Sequence, residues 1–308
     1  MNSVKDKIKD NAGENPFLGY GLGLRPEYYD TIVETQPEVD WFEIITENYM
    51  VDGGKPIHYL DRVRENYPIV MHGVSLSIGG TDPLDKKYLK RLKQLIEYAE
   101  PRWISDHLCW TSHGGHNLHD LLPLPCTEEA IKHVVSRLEQ VQDYLGQQIL
   151  LENASTYLTF ENDEMTEWDF YREVIERADS LMLLDVNNIY VCARNHGFDA
   201  IEFLDSMPVE RIRQMHVSGH SDYGDYVVDT HDHPVVQPVW ELFGEALKRF
   251  GPTSSMVERD DRFPPFEELM AELGEMRSIA ANVETNSETN IKTNIERNAL
   301  NKRESRQC

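Results

Sequence analysis

Between residues 215 and 234, MHVSGHSDYGDYVVDTHDHP, four histidines and four aspartates crowd into twenty positions. Imidazole and carboxylate without thiolate form the donor set of an iron, manganese or zinc ion kept for chemistry, more than of a closed structural zinc site. The same side chains recur elsewhere, each ending a short apolar run: His72, Asp106 with His107, Glu152 with Asn153, Asp185 with Asn187 and Asn188, His216, and Glu258. Singly, a histidine that closes a strand is more often a hydrogen-bonded core group than a ligand. If His72, His107, Glu152, Asp185, His216 and Glu258 share one mouth, however, the three carboxylates repel unless cations compensate them. Several carboxylates also permit bridging, so two or three ions are expected.

What could bring six strand ends together is legible in the runs themselves. Eight β-branched or apolar segments (17–24, 41–46, 68–74, 103–110, 149–155, 181–188, 212–219 and 254–260) alternate with longer amphipathic stretches. Two of those stretches are the helix candidates 86–100 and 127–145, the second opened by Thr127 as N-cap with Glu128 and Glu129 in its first turn. Eight βα repeats predict a (β/α)8 TIM barrel, whose active residues stand at the C-terminal ends of the strands. A doubly wound open sheet is the structural alternative, but its ligand crevice draws on loops near one switch point and not on six strands.

The remaining donors follow the seventh strand. In DTHDHP the i, i+2 spacing of Asp229 and His231 puts both on one side of an extended segment, with Asp232 facing the other way. His220 and His233 fit better as groups that orient a ligand from behind, or touch substrate or solvent, than as ligands. His113, His116 and His119 in SHGGHNLHD form a further cluster after the fourth strand, whose glycines read as a mobile lid or substrate loop.

The 308 residues carry a net charge of −24. The segment 282–308 is rich in Asn, Thr and charge and nearly balanced in sign, so the acid excess belongs to the body. The expected organisation is an N-terminal extension (1–16), a barrel (17–281) and a polar, disordered tail (282–308). An acidic body repels phosphate backbones unless bound cations intervene, which argues against a nucleic-acid partner. Neither an apolar leader nor a run long enough to cross a bilayer is present, so a cytoplasmic location without membrane attachment is expected. Cys109, Cys126, Cys192 and Cys308 contain no CxxC pair, and free thiols are expected.

Seven motifs in order, MHGVSLSIGG, SDHLCW, LLENAS, LLDVNNIYV, MHVSGH, DTHDHPV and VERD, resemble the MbnB/TglH family of multinuclear non-haem iron oxidases. The likeness runs from about Gly19 to Glu275 and leaves the tail uncovered. The wider architecture is similar to xylose isomerase and endonuclease IV barrels. By that resemblance His72 and His107 bind one ion, Glu152 bridges it to a second completed by Asp185, His216 and Glu258, and Asn188, Asp229 and His231 hold a third. Asn188 stands where the nuclease pattern has histidine, and an amide oxygen is the weaker donor. Asp106 either ligates or orients His107.

The resemblance further implies two or three irons of mixed Fe(II)/Fe(III) valence and dioxygen as co-substrate. It implies a precursor peptide whose cysteine is modified, and a small separate partner protein that presents the peptide. Two other metal chemistries fit the donors: a phosphoesterase of the endonuclease IV type, disfavoured by the charge, and a divalent-metal sugar isomerase, which needs no dioxygen. A purely iron-binding role would not need a site built from six strand ends. Cys308, the last residue, is read as accidental rather than as a self-modified substrate.

Overall fold

The computed structural model describes residues 17–304, with side chains to residue 286. All eight expected runs become parallel barrel strands: β1 (Tyr20–Gly23), β2 (Trp41–Ile45), β3 (Ile69–His72), β4 (Ile104–His107), β7 (Leu150–Glu152), β8 (Leu181–Asp185), β9 (Ile212–Val217) and β12 (Ser254–Val257). They close in the order β1-β12-β9-β8-β7-β4-β3-β2. Between them run α1 (Tyr29–Thr35), α2 (Thr46–Tyr49), α3 (Lys55–Arg64), α4 (Lys86–Ala99), α5 (Glu128–Leu145), α6 (Glu167–Arg177), α7 (Val186–His196), α8 (Ala200–Asp205) and α9 (Gln237–Phe250), and α10 (Phe266–Glu304) follows. Helix α5 starts as expected, with Thr127 accepting from the Ala130 N–H.

The period-two alternation of a strand divides each run between two cores. Met71, Leu151, Leu184 and Met215 face outward and join the helices in one large cluster. Trp41, Val70, Trp103, Leu150, Leu183 and Met256 face inward and fill the barrel. Two residues beyond these plugs lie Glu43, His72, Ser105, Glu152, Asp185 and Glu258, so the alternation that packs the interior also aims the polar residues into the mouth. Gly21 is required here: a Cβ would sit 2.5 Å from the Trp41 ring.

The histidine-rich segment after the fourth strand is a hairpin, β5 (Trp110–His113) and β6 (His116–Leu122). Its two-residue turn is Gly114-Gly115, both at positive φ, the backbone a tight hairpin demands. A shorter hairpin, β10 (Ser221–Asp222) and β11 (Val227–Val228), follows β9. Helix α10 runs across residue 281 to Glu304, and 282–304 contains neither proline nor glycine to stop a helix. Residues 1–16 and Cys308 lie outside the described residues. Among the described residues no helix is long and apolar enough to cross a membrane, and Cys109, Cys126 and Cys192 are free.

Candidate metal centre

Three groups of donors converge at the C-terminal mouth of the barrel. In the first, Glu152 Oε2 lies 3.2 Å from His72 Nε2 and 3.2 Å from His107 Nε2. In the second, His216 Nδ1 lies 3.3 Å from Glu152 Oε1 and 3.0 Å from Glu258 Oε2, with Asp185 alongside. In the third, His231 Nε2 lies 2.6 Å from Asp229 Oδ1, while its Nδ1 approaches Glu258 Oε2 at 3.4 Å and Asp260 Oδ2 at 3.3 Å. Glu152 thus joins the first group to the second, and Glu258 the second to the third. A cavity of about 410 Å³ opens over them, lined by Asn188, Asp229 and His231 and, from the hairpin, by His119, Asp120 and Leu121.

Each imidazole is oriented from behind. His72 Nδ1–H donates to Ser105 Oγ (2.8 Å), which donates onward to the Met71 carbonyl (3.3 Å). His107 Nδ1–H donates to the Gly73 carbonyl at 3.2 Å. His216 turns the other way, its Nε2 lying 2.8 Å from Gln214 Nε2 and 3.2 Å from Glu43 Oε2. Glu43 also accepts from Gln214 Nε2 (2.6 Å), whose oxygen accepts from Trp103 Nε1 (2.5 Å), so the barrel plug anchors the histidine. His231 Nδ1–H faces Asp260. His72 Nε2 and His107 Nε2 therefore present lone pairs to the site, and His216 Nδ1 and His231 Nε2 point the same way once their protons are lost, the orientation metal ligation needs.

The residues fit a metal. Glu152 Oε2 and Asp185 Oδ2 are buried without hydrogen-bond partners, and His216 Nδ1 and His231 Nε2 meet carboxylate oxygens of the same cluster. Buried acceptors without donors are costly, and donor groups turned toward one another in one cluster fit a common cation. The Arg25 guanidinium at the mouth reaches Asp260 Oδ1 at 2.7 Å and Glu258 Oε1 at 3.8 Å. Among the described residues no lysine or arginine forms an ion pair with Glu152, Asp185 or Glu43.

Protons fill part of that gap. Burial opposes charge on His216, but Glu258, Glu43 and Glu152 together raise its pKa well above the ordinary histidine value. His231 is raised in the same way, by Asp229 and Glu258 against burial. Burial, then the Glu152 charge, pushes the Asp185 carboxyl far up. Glu258 is buried too, yet His216 and His231 draw it down to about 2. His72 has no such support: burial and then the His107 and His216 charges lower it. A bound cation would displace the protons on His216, His231 and Asp185.

The structure brings together His72, His107, Glu152, Asp185, His216, Asp229, His231 and Glu258. Asn188 borders the same cavity, but its amide oxygen accepts from Ser155 Oγ at 2.8 Å and its Nδ2 donates to the Asn153 carbonyl at 3.0 Å. Asn153 ties β7 to β8 by donating to the Asp185 carbonyl and accepting from its N–H. Asn187 donates to Asp229 Oδ1 (2.8 Å) and pairs with His220 Nδ1 (2.8 Å), so His220 stands behind Asp229. His233 pairs with Asp232, half exposed and turned from the donors.

Asp106 faces out of the barrel, as its place between Ser105 and His107 requires. Its Oδ1 accepts from the His107 N–H and its Oδ2 from the Leu76 N–H, so it braces backbone. The expected reason for the Asp229–His231 pairing was an extended segment, but His231 has φ +48°, and the chain bends there. Gly219 permits the bend, because a Cβ would lie 2.1 Å from the His233 carbonyl oxygen where the loop returns.

Sequence reasoning missed Glu43, Arg25, Gln214 and Asp260. Glu43 and Gln214 lie within strands, where only the alternation from Trp41 and toward His216 marks them as inward. Asp260 follows Glu258 by two in VERD, the same signal used for Asp229 and His231.

Fold and site define the class as a (β/α)8 barrel with clustered metal donors at its mouth. Endonuclease IV from Thermus thermophilus matches with a TM-score of 0.58 at 16% identity, over 86% of this chain and 99% of that one. The 3-keto-D-glucoside 4-epimerase YcjR from E. coli matches at 0.54 and 16%, over 85% and 99%. These likenesses concern the fold alone.

The family model for the RiPP precursor modification enzymes MbnB/TglH/ChrH matches residues 19–281, and the chain belongs to that family. The UPF0276 protein of Anaeromyxobacter sp. (strain Fw109-5) is 53% identical over 255 residues, 83% of this chain and 90% of that protein. A UPF0276 protein of Caulobacter vibrioides (strain NA1000 / CB15N) is 50% identical over 264 residues, 85% and 94%.

Proposed function

We propose that this chain is a multinuclear iron, dioxygen-dependent oxidase that modifies a cysteine of a ribosomally synthesised precursor peptide, delivered by a separate partner protein. The observation that carries the metal part is the convergence of buried imidazole nitrogens and carboxylate oxygens at one mouth, with Glu152 Oε2 and Asp185 Oδ2 lacking any hydrogen-bond partner. The peptide part rests on membership of the family.

His72, His107 and Glu152 would hold one ion, Glu152, Asp185, His216 and Glu258 the second, and Asp229 and His231, with Asn188, the third. Bound iron would supply electrons to dioxygen and a position for the cysteine thiolate, whose pKa a metal lowers. The chain's own residues prepare that chemistry. Ser105 and Gly73 keep the His72 and His107 protons on Nδ1, so those ring lone pairs need no rearrangement, and Glu43 and Gln214 hold the His216 ring in place. The apolar plug below Glu152 and Glu258 closes the bottom of the barrel to water. The hairpin residues His119, Asp120 and Leu121 narrow the entrance above.

Anaerobic purification with ferrous iron, followed by metal quantification and Mössbauer spectroscopy before and after air, tests this reading. Two or three irons with a mixed-valent signal are expected. Zinc retained alone with no iron species would refute it, and robust metal-dependent cleavage of abasic DNA would favour a phosphoesterase instead.

A further inference from the structure

Beside the metal cavity lies a second recess, of about 230 Å³, between the outer wall of the barrel and α6 to α8. The two hollows are neighbours. His107 lines the metal cavity and Leu108 the recess; Leu121 lines the cavity and Pro123 and Leu124 the recess. Trp168 and the rings of Phe160, Phe198 and Phe203 contribute aromatic walls, with Trp168 5.1 Å from Phe198 and 6.2 Å from Phe203. The volume is below the ~300–1,000 Å³ of a pocket for a drug-sized ligand and suits one large side chain.

The recess is not wholly apolar, because the half-buried Glu167 lines it. That carboxyl has two long contacts, with the Thr156 hydroxyl at 3.4 Å and the Cys192 thiol at 3.8 Å, where a carboxylate accepts about four hydrogen bonds. His196 is already engaged, its Nε2 2.9 Å from the Thr156 hydroxyl and from the Thr156 carbonyl. Burial pushes the Cys126 thiol up to about 12 and Cys192 well above its ordinary value, so neither thiol is a nucleophile at neutral pH. The recess is therefore equipped to bind and not to react. A guest that fills the aromatic box and brings a donor would satisfy both the cavity and the under-partnered acid.

We propose that this recess receives an aromatic side chain bearing an N–H or O–H, tryptophan or tyrosine, from the same peptide whose cysteine enters the metal cavity. The proposal rests on the peptide reading above. Its ring packs on Trp168 and Phe198, its donor meets Glu167, and the peptide backbone crosses the shared rim at residues 121–124. Two anchors set the register, so the spacing between aromatic and cysteine decides which cysteine reacts.

The recess is tested without the unknown peptide. Ligand-observed NMR titrations of the full metal-free chain compare indole with indene, which has a similar fused-ring shape without the N–H. Indole binds about tenfold more tightly, the effect of one hydrogen bond to a charged or partly charged acceptor. Glu167→Leu brings the two ligands near parity. Leu158→Trp, which adds a ring at a half-exposed lining position, abolishes both. Equal affinity in the wild type, no binding, or binding indifferent to Leu158→Trp overturns the proposal.

A second arm loads the chain with cobalt(II), whose thiolate absorption reports cysteine binding, and adds acetyl-cysteine-tryptophan amides with glycine spacers of increasing length. One spacing should bind about tenfold better than its alanine counterpart, and the advantage should vanish in Leu158→Trp. A thiolate signal with no tryptophan preference at any spacing overturns the proposal. Indole binding with no thiolate signal at all supports the recess and tells instead against cysteine as the substrate.

Discussion

Glu167→Gln separates the cost of a buried acid from every other titration in the protein. Burial raises the Glu167 carboxyl from 4.5 to about 7, while its contacts with Thr156 and Cys192 pull only weakly the other way. Below pH 4.5 the acid is neutral both folded and unfolded and contributes nothing. As pH rises toward 7 the unfolded chain gains by ionising and the folded chain does not, so stability is lost through that window and is level above it. The shift is worth about 3 kcal/mol at ~1.4 kcal/mol per pKa unit. Urea unfolding of the metal-free wild type and Glu167→Gln at about pH 4.5 and about pH 8 provides the assay. The wild type should lose about 3 kcal/mol more than the variant between the two pH values, because all other groups cancel in the difference. Parallel pH profiles, or a steeper fall in the variant, would refute the assignment of Glu167 as a desolvated acid.

Three further outcomes follow from the mouth and the plug. Under the proposed assignment Glu152→Ala should abolish binding of both ions that Glu152 would bridge, whereas His231→Ala should leave two and lose one, as read by metal stoichiometry after anaerobic loading. Glu43→Gln removes the charge that lies against His216 Nε2 and Gln214 Nε2, so metal affinity at the second group should fall roughly 10- to 100-fold in a chelator competition, with the circular dichroism spectrum unchanged. Gly21→Ala drives a methyl against the Trp41 ring and should cost about 1–3 kcal/mol in urea unfolding, far more than an exposed glycine change.

The eight strands were legible because each is a short apolar run closed by turn and helix signals, and a parallel barrel buries both faces of each strand. Their C-terminal polar residues were legible for the same reason: an imidazole or carboxylate after an unbroken apolar run has to leave the core somewhere. The hairpin was less plain. SHGGHNLHD carries a two-glycine turn between polar strands, and its exposed residues offer none of the apolar alternation that marks a half-buried strand. The helical extension past residue 281 was masked by composition, since a polar stretch without breakers reads equally as tail or helix.

Residue types, order and spacing thus determined by themselves the barrel, its eight strands and most of the donors that meet at its mouth. Only the tertiary structure decided which neighbours act together. Glu43 and Gln214 join the site through barrel closure, which sets β2 and β9 facing each other across the Trp41 and Trp103 plug. Arg25 and Asp260 meet because β1 and β12 are adjacent in the closed sheet though 235 residues apart in sequence. The bend at His231, the outward turn of Asp106 and the recess behind Leu108 depend likewise on packing between distant segments. Local patterning records which way a side chain leaves its own strand; what it meets there is set by contacts that no local window contains.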